Sequence, residues 1–216
     1  MKTAPSLRKH LLCLILSLCP IVGLAQDLKD IQLPPPQTDG GRPLMQVLKD
    51  RKSTRDFRPD KLSPQTLSNI LWAGFGINRP DGRRTAPSAS NKQEIDIYVA
   101  TADGLYIYDA RGNRLSSVLR DDVRAKTGQQ PFVKDAPVNL VYVADLARTG
   151  ADSAERDMDL AADTGFIAQN VYLFCASEGL ATVVRGSIDR RSLASAMRLR
   201  PDQRIILAQT VGYPQK

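Results

Sequence analysis

Histidine is almost missing from this chain and cysteine is rare: His10 is the single histidine, and the cysteines are Cys13, Cys19 and Cys175. Three of these four residues fall within the first twenty positions. If that stretch is removed on export, the working protein keeps no histidine and one cysteine. A histidine-based triad, a His or multi-Cys zinc site and an internal disulfide are then excluded, and no metal ligand is expected. Aromatics make up only 6% of the residues, so the core must be mostly aliphatic. No Lys/Arg run concentrates the positive charge, which argues against general nucleic-acid binding. Any chemistry must come from carboxylates, from a lone nucleophile or from a borrowed cofactor.

What is present reads as one globular domain. The chain has 216 residues, 42% hydrophobic and 25% charged, with a mean hydropathy of -0.27. That is enough for a single domain with a real core and short for two. Residues 1–25 read as a signal peptide. Lys2, Arg8 and Lys9 precede the apolar run from Leu11 to Leu18, Pro20 and Gly23 break it, and Gly23-Leu24-Ala25 has the small-x-small pattern of a cleavage site. Leu11 to Ala25 spans 15 residues, short of the roughly 20 needed to cross a bilayer. Leu18 and Pro20 flank Cys19 unsuitably for a lipid anchor. The expectation is a chain starting near Gln26, exported to the periplasm, with no membrane span after cleavage. Removing three positive charges and no acid lowers the formal charge from +7 to +4.

Residues 26–42 read as a Pro/Gly-rich leader containing Pro34-Pro35-Pro36 and Thr38-Asp39-Gly40-Gly41. After Pro43 a short helix should place Leu44, Val47 and Leu48 on one face. Ser63 as N-cap with Pro64 at the first helical position starts a second helix carrying Leu67, Ile70 and Leu71 inward, ending at Gly74 and Gly76. Residues 79–90 form a polar loop too long for a mere connector. Ile95, Ile97 and Val99 alternate with Asp96 and Tyr98 as a half-buried strand, and Asp103-Gly104 turns it into a hairpin with Leu105 to Tyr108. Leu115 to Lys126 suggests a helix, and Val138 to Ala144 a central strand. Asp157 to Glu178 is the strongest helix, closed by Gly179. A short strand from Ala181 to Val184, a helix capped by Asp189 and a last strand from Ile205 to Val211 complete the chain. The fold class is α+β, a mostly antiparallel sheet flanked by helices.

Three segments carry candidate chemistry. In Arg51-Lys52-Ser53-Thr54-Arg55, an extended chain turns Arg51, Ser53 and Arg55 the same way, suited to a phosphate or to the carbonyl oxygens of a planar ring. The competing reading is a solvated basic helix end. In Pro87-Ser88-Ala89-Ser90-Asn91-Lys92-Gln93, small residues admit a ligand to the backbone, and the amides supply donors and acceptors; a plain turn-forming loop is the alternative. In Gly179 to Gly186 a strand runs into glycine, whose N–H can meet a ligand or whose flexibility can merely ease a turn.

Taken together and in this order, these segments resemble the nitroreductase family of flavoproteins, in the branch similar to azoline dehydrogenases of modified peptides. The resemblance covers residues 43–214. It rests on the basic-x-Ser-x-basic segment, on Pro87 to Gln93, on Asp135-Ala136-Pro137 entering a strand, on Gln169-Asn170 followed by Gly179-Leu180, and on Val211-Gly212-Tyr213-Pro214.

The resemblance implies an FMN-dependent oxidoreductase, a homodimer binding two FMN molecules at its interface. Arg51, Ser53 and Arg55 would hold the phosphate and the pyrimidine edge, assisted by Lys52. Pro87, Ser88, Ala89 and Asn91 would line the flavin of the other subunit. Gln129 falls where the family has an amide near the ring, and Arg185 and Gly186 occupy the stretch whose backbone meets the reactive edge. No side chain is assigned a catalytic role, since the cofactor performs the redox step. Two features depart from the family: the basic residues that usually follow the Gly-Tyr-Pro strand, for which Lys216 is the only candidate here, and the arginine at 185, where acidic or apolar residues are common. The electron donor is open, with NAD(P)H a candidate and no Gly-x-Gly-x-x-Gly fingerprint present. The implied reaction is two-electron transfer to or from a small-molecule substrate. Flavin-dependent dehalogenation or flavin cleavage on the same fold would need a lid, for which residues 111–131 are the candidate. A non-catalytic flavin- or partner-binding protein is the remaining alternative.

Overall fold

A computed structural model of the chain describes Met1 and residues 28–150 and 152–215. The proposed signal peptide, with His10, Cys13 and Cys19, and also Lys216, lie outside the described residues. The elements in order are β1 (Ile31–Gln32), α1 (Leu44–Asp50), α2 (Pro64–Phe75), β2 (Ile95–Thr101), β3 (Gly104–Asp109), β4 (Arg114–Leu119), β5 (Val138–Asp145), α3 (Ala154–Glu178), β6 (Ala181–Arg185), α4 (Arg190–Ala196) and β7 (Gln203–Gly212). Seven strands form one sheet in the order β1-β4-β3-β2-β5-β7-β6. Every neighbouring pair is antiparallel. No helix among the described residues is long and apolar enough to cross a membrane.

β5 is central, and its residues Val138 to Ala144 are all buried, as a strand covered on both faces requires. On one face α2 and α3 pack through Ile70, Leu71, Phe75, Ile167 and Val171 against Ile97, Val99, Leu140 and Tyr142. On the other face α4 contributes Leu193, joined by Met197, over Tyr98, Val141, Val143 and Ala208. α2 starts where expected: the Ser63 side chain accepts from the Thr66 N–H at 3.0 Å, with Pro64 in the first turn. It passes through Gly74, where a Cβ would stand 3.0 Å from Val171, and ends at Gly76. α3 begins at Ala154 rather than Asp157, because Ser153 caps it by accepting from the Arg156 N–H; Gly179 closes it in the left-handed region at φ 70.

Two expectations need correction. The stretch from Leu115 to Lys126 is not a helix; it is β4 followed by a single 3-10 turn at Arg124–Lys126. Leu115 and Leu119, four residues apart, imitate a helical face. A bulge explains them: Leu105 pairs with Leu119 but Tyr106 pairs with Ser117, so Val118 is an extra residue. The strand therefore turns Leu115 into the α2/α3 face and Leu119 into the α4 face. The same finding puts Arg114–Leu119 of the candidate lid segment in the sheet, with Leu115, Leu119 and Val123 buried, and Arg124 is held by the Ala136 carbonyl at 2.9 Å.

On α1 only Val47 is buried, while Leu44 is 61% and Leu48 44% exposed, so the expected inward face is largely open. The Pro34–Pro36 stretch is built into the fold along α2: the Pro34 carbonyl accepts from Ser68 Oγ at 2.6 Å and the Pro35 carbonyl from Gln65 Nε2 at 2.9 Å.

Candidate functional site

Residues 51–58 leave α1 as extended chain and pass first the outer edge of β6 and then the residues that follow β7. The Thr54 N–H donates to the Thr182 carbonyl at 2.9 Å, the Arg58 N–H to the Tyr213 carbonyl at 2.9 Å, and Phe57 bridges to Pro214. Extended backbone alternates its side chains, and the alternation is visible. Arg51 and Ser53 converge on Tyr172: the guanidinium carbon lies 5.2 Å from the ring centroid, and the Ser53 and Tyr172 hydroxyl oxygens are 2.7 Å apart. Lys52 and Thr54 line a concavity with Tyr172, Gly179, Ala181 and Thr182, so Lys52 borders the same tyrosine that Arg51 and Ser53 meet. Arg55 is exposed.

Tyr172 is the residue that the sequence did not disclose. It sits on α3 among aliphatic core positions, and its hydroxyl also accepts the Val184 N–H at 2.9 Å. The basic segment is thereby tied to β6 just before Gly186. Only the three-dimensional pairing of β6 with residues 51–55 shows this; a tyrosine in a helical stripe is otherwise an ordinary core aromatic.

At the end of β6, Gln129 is brought alongside Ser187. The Ser187 hydroxyl donates to Gln129 Oε1 at 2.9 Å and the Gln129 N–H to the Ser187 carbonyl at 3.3 Å. Gly186 between them is exposed, and its N–H has no acceptor among the described residues. That amide is an open hydrogen-bond donor at a chain position where backbone is accessible.

Arg185 does not face this opening with its charge. It is 4% exposed, and its guanidinium points into the protein, donating to the Thr127 carbonyl, to Asn139 Oδ1 at 3.0 Å and to Thr210 Oγ1 at 3.1 Å. All these acceptors are neutral. Burial without a partner acid pulls the guanidinium down to about 10, still charged near neutral pH. Asn139 Nδ2 anchors the same group to the Val133 carbonyl at 2.7 Å, so the network joins β5, β6, β7 and the 127–133 connector. The arginine that departs from the family pattern at 185 thus spends its side chain on an internal hydrogen-bond network.

Pro87 to Asn91 lies elsewhere on the subunit. The Ala89 N–H donates to Asp163 Oδ2 at 2.8 Å, and Asp163 precedes Tyr172 by nine residues on α3, about 13 Å along the helix axis. One chain therefore does not bring this loop to Arg51 and Ser53. The loop is conformationally constrained, with left-handed backbone at Ser90 (φ 52), Asn91 (φ 54) and Gln93 (φ 49). Beneath it Glu94 is buried with both carboxyl oxygens unpartnered. Burial, with Asp163 as a neighbouring acid, pushes the Glu94 carboxyl up to about 7.

Cys175, the only described cysteine, is buried in the core, which pushes its thiol up and away from nucleophilic use. The site thus offers guanidiniums, a hydroxyl, a carboxamide and an open backbone N–H, without a nucleophile or an acid–base pair. Such a donor set fits a planar, phosphate-bearing cofactor that brings its own reactivity. The fold defines the class: an α+β protein built on one antiparallel sheet flanked by helices. The chain belongs to the nitroreductase family, whose sequence model matches residues 48–213. The members of this family are oxidoreductases that generally bind flavin.

Among relatives, a nitroreductase-like protein of Methanocaldococcus jannaschii is 29% identical over 168 residues, 73% of this chain and 85% of the relative. The crystal structure of a nitroreductase-like protein from Ralstonia eutropha JMP134 superposes with a TM-score of 0.84 at 43% identity, over 89% of this chain and 93% of the other. A nitroreductase-like protein of Desulfovibrio desulfuricans, solved in complex with FMN, shares the fold with a TM-score of 0.61 at 23% identity, over 82% and 89% of the two chains.

Proposed function

We propose that this protein is an FMN-dependent oxidoreductase that works as a homodimer and carries out two-electron transfer to or from a small organic substrate. The observation that carries the reading is the open Gly186 N–H, in a short segment whose Ser187 meets Gln129 and whose Val184 is held by the Tyr172 that also meets Arg51 and Ser53. Arg51 and Arg55 would hold the phosphate of the cofactor, and Ser53, fixed by Tyr172, would donate or accept beside it. The Gly186 N–H and the Gln129 carboxamide would address the ring. FMN, when bound, supplies the redox chemistry. Beneath that edge Arg185 keeps an un-neutralised positive charge among neutral acceptors, which favours an electron-rich ring above it.

Dimerisation is supported by two observations. The Pro87–Asn91 loop is remote from Arg51 within one chain, so a second copy is needed to bring the two halves together. Leu44, Met45 and Leu48 on α1 and Phe166 on α3 are large apolar side chains 44–76% exposed, more than a solvent-facing surface requires.

The visible spectrum of the purified protein tests the reading. Flavin absorption that is released on denaturation as FMN supports it, and a protein that stays colourless after incubation with excess FMN defeats it. Export belongs to the same reading on the residues of positions 1–25; mass spectrometry should find the mature chain beginning about Gln26, and an uncleaved cytoplasmic product would refute it.

A further inference from the structure

The long polar loop at residues 79–90 folds into a pocket of its own. Arg79, Arg83, Arg84, Ser88, Ser90 and Asn91 line a concavity of about 550 Å³, within the size range of small-molecule sites. Three guanidiniums meet there with little to neutralise them. Arg79 donates only to neutral acceptors, Asn78 Oδ1 at 3.1 Å and the Arg84 carbonyl at 3.3 Å. Arg84 lies 4.4 Å above the Phe75 ring and donates to Gln93 Oε1 at 2.8 Å and the Phe75 carbonyl at 3.0 Å. Arg83 is hydrogen-bonded to an acid, Asp81 at 2.8 Å, in a pair whose side chains are 56% and 48% exposed and which holds little against a competing anion. Asp81 also lies near Arg79, and Asp96 and Asp109 are the acids near Arg84, without a hydrogen bond to it. Each arginine keeps a guanidinium nitrogen with no protein acceptor among the described residues.

Concave, arginine-lined and edged by hydroxyls and a carboxamide, this is the donor set that carboxylate and phosphate groups select. We propose that the pocket binds the phosphate or carboxylate group of a small molecule that reacts at the flavin. The placement next to the flavin rests on the functional reading above, because Pro87, Ser88 and Ala89 of this loop would border the flavin of the second subunit. The anion site itself stands on the pocket alone. Arg84 frames it, stacked and doubly hydrogen-bonded. Arg79 and Arg83 are the exposed and readily exchanged members, and the ones that select the ligand.

The test uses the full chain in the presence of excess FMN, with inorganic pyrophosphate as the probe and calorimetric titration as the readout. Wild-type protein should bind pyrophosphate, more weakly as salt rises. The Arg79→Gln/Arg83→Gln double variant should bind it about tenfold or more weakly, with an unchanged melting temperature. No binding to wild type, or equal binding to the variant, overturns the proposal. FMN and riboflavin are then titrated into the flavin-free proteins. If the double substitution weakens FMN and spares riboflavin, the arginines hold the flavin's own phosphate and the proposal is again overturned. If no flavin binds but pyrophosphate binding still depends on Arg79 and Arg83, the anion pocket stands and the flavin reading fails.

Discussion

The guanidinium of Arg185 fills the space that Gly128 leaves open: a Cβ at position 128 would fall inside it. Glycine here admits a buried side chain rather than an unusual backbone angle. The contact fastens the connector bearing Gln129 to the end of β6. Gly128→Ala should therefore destabilise the fold by about 1–3 kcal/mol through overpacking. In an Arg185→Ala background the same change should cost far less, giving a coupling of about 1 kcal/mol or more in a urea-denaturation cycle. Additive losses would mean that Arg185 does not lie over Gly128.

Arg51 and Arg55 separate by ligand. Charge-assisted bonds to phosphate contribute roughly 1.5–3 kcal/mol each, so losing one should weaken FMN binding by about tenfold to a hundredfold. Arg51→Ala should leave riboflavin binding near wild type, whereas Arg55→Ala should weaken both ligands if Arg55 reaches the ring. Fluorescence titration of both flavins decides it, and unchanged FMN affinity in both variants would reduce the segment to a solvated basic turn.

Glu94 makes stability depend on pH. Its folded value of about 7 exceeds the ordinary 4.5 because burial, then the neighbouring Asp163, disfavours the charged form. The protonated acid therefore supports the fold fully below about pH 4.5, and the support is lost as pH rises toward 7. Glu94→Gln should remove that slope and gain roughly 1–3 kcal/mol over wild type at pH 8. Parallel stability curves for the two proteins across this range would sink the assignment.

Phe166, 48% exposed on α3, tests the dimer. Phe166→Glu should leave the subunit folded, since about half of the residue is already exposed, and should shift sedimentation from dimer to monomer. Flavin binding should fall with it, because the Pro87–Asn91 loop would no longer be supplied by a second copy. A wild-type monomer that holds FMN tightly would contradict the shared site.

Much of this protein was legible where the signal is local. Ser63-Pro64 before an apolar period of three and four, and Gly179 after one, depend only on backbone chemistry near each residue and fold as read. The alternation from Ile95 to Val99 gave a strand as expected, but not a half-buried one, because α4 covers the face that carries Tyr98. The family segments were legible for the same reason, since residues 51–55 and 87–93 are short and contiguous. β4 was not: a bulge at Val118 puts Leu115 and Leu119 on opposite faces, and a bulge is decided by the partner strand.

What the sequence alone determined is therefore the class of the domain, its main helices and strands, and the residue types available to a borrowed cofactor. The tertiary structure decided which of them meet. Tyr172 joined Arg51 and Ser53 because β6 pairs with the chain at Thr54. Arg185 turned inward because Gly128, Asn139 and Thr210, distant in sequence, made room and acceptors for it. Lys52 and Thr54 came to line a cavity beside Tyr172 because α3 and β6 pack against the extended segment. Side-chain direction depends on what packs on each side, and that information is spread across the whole chain.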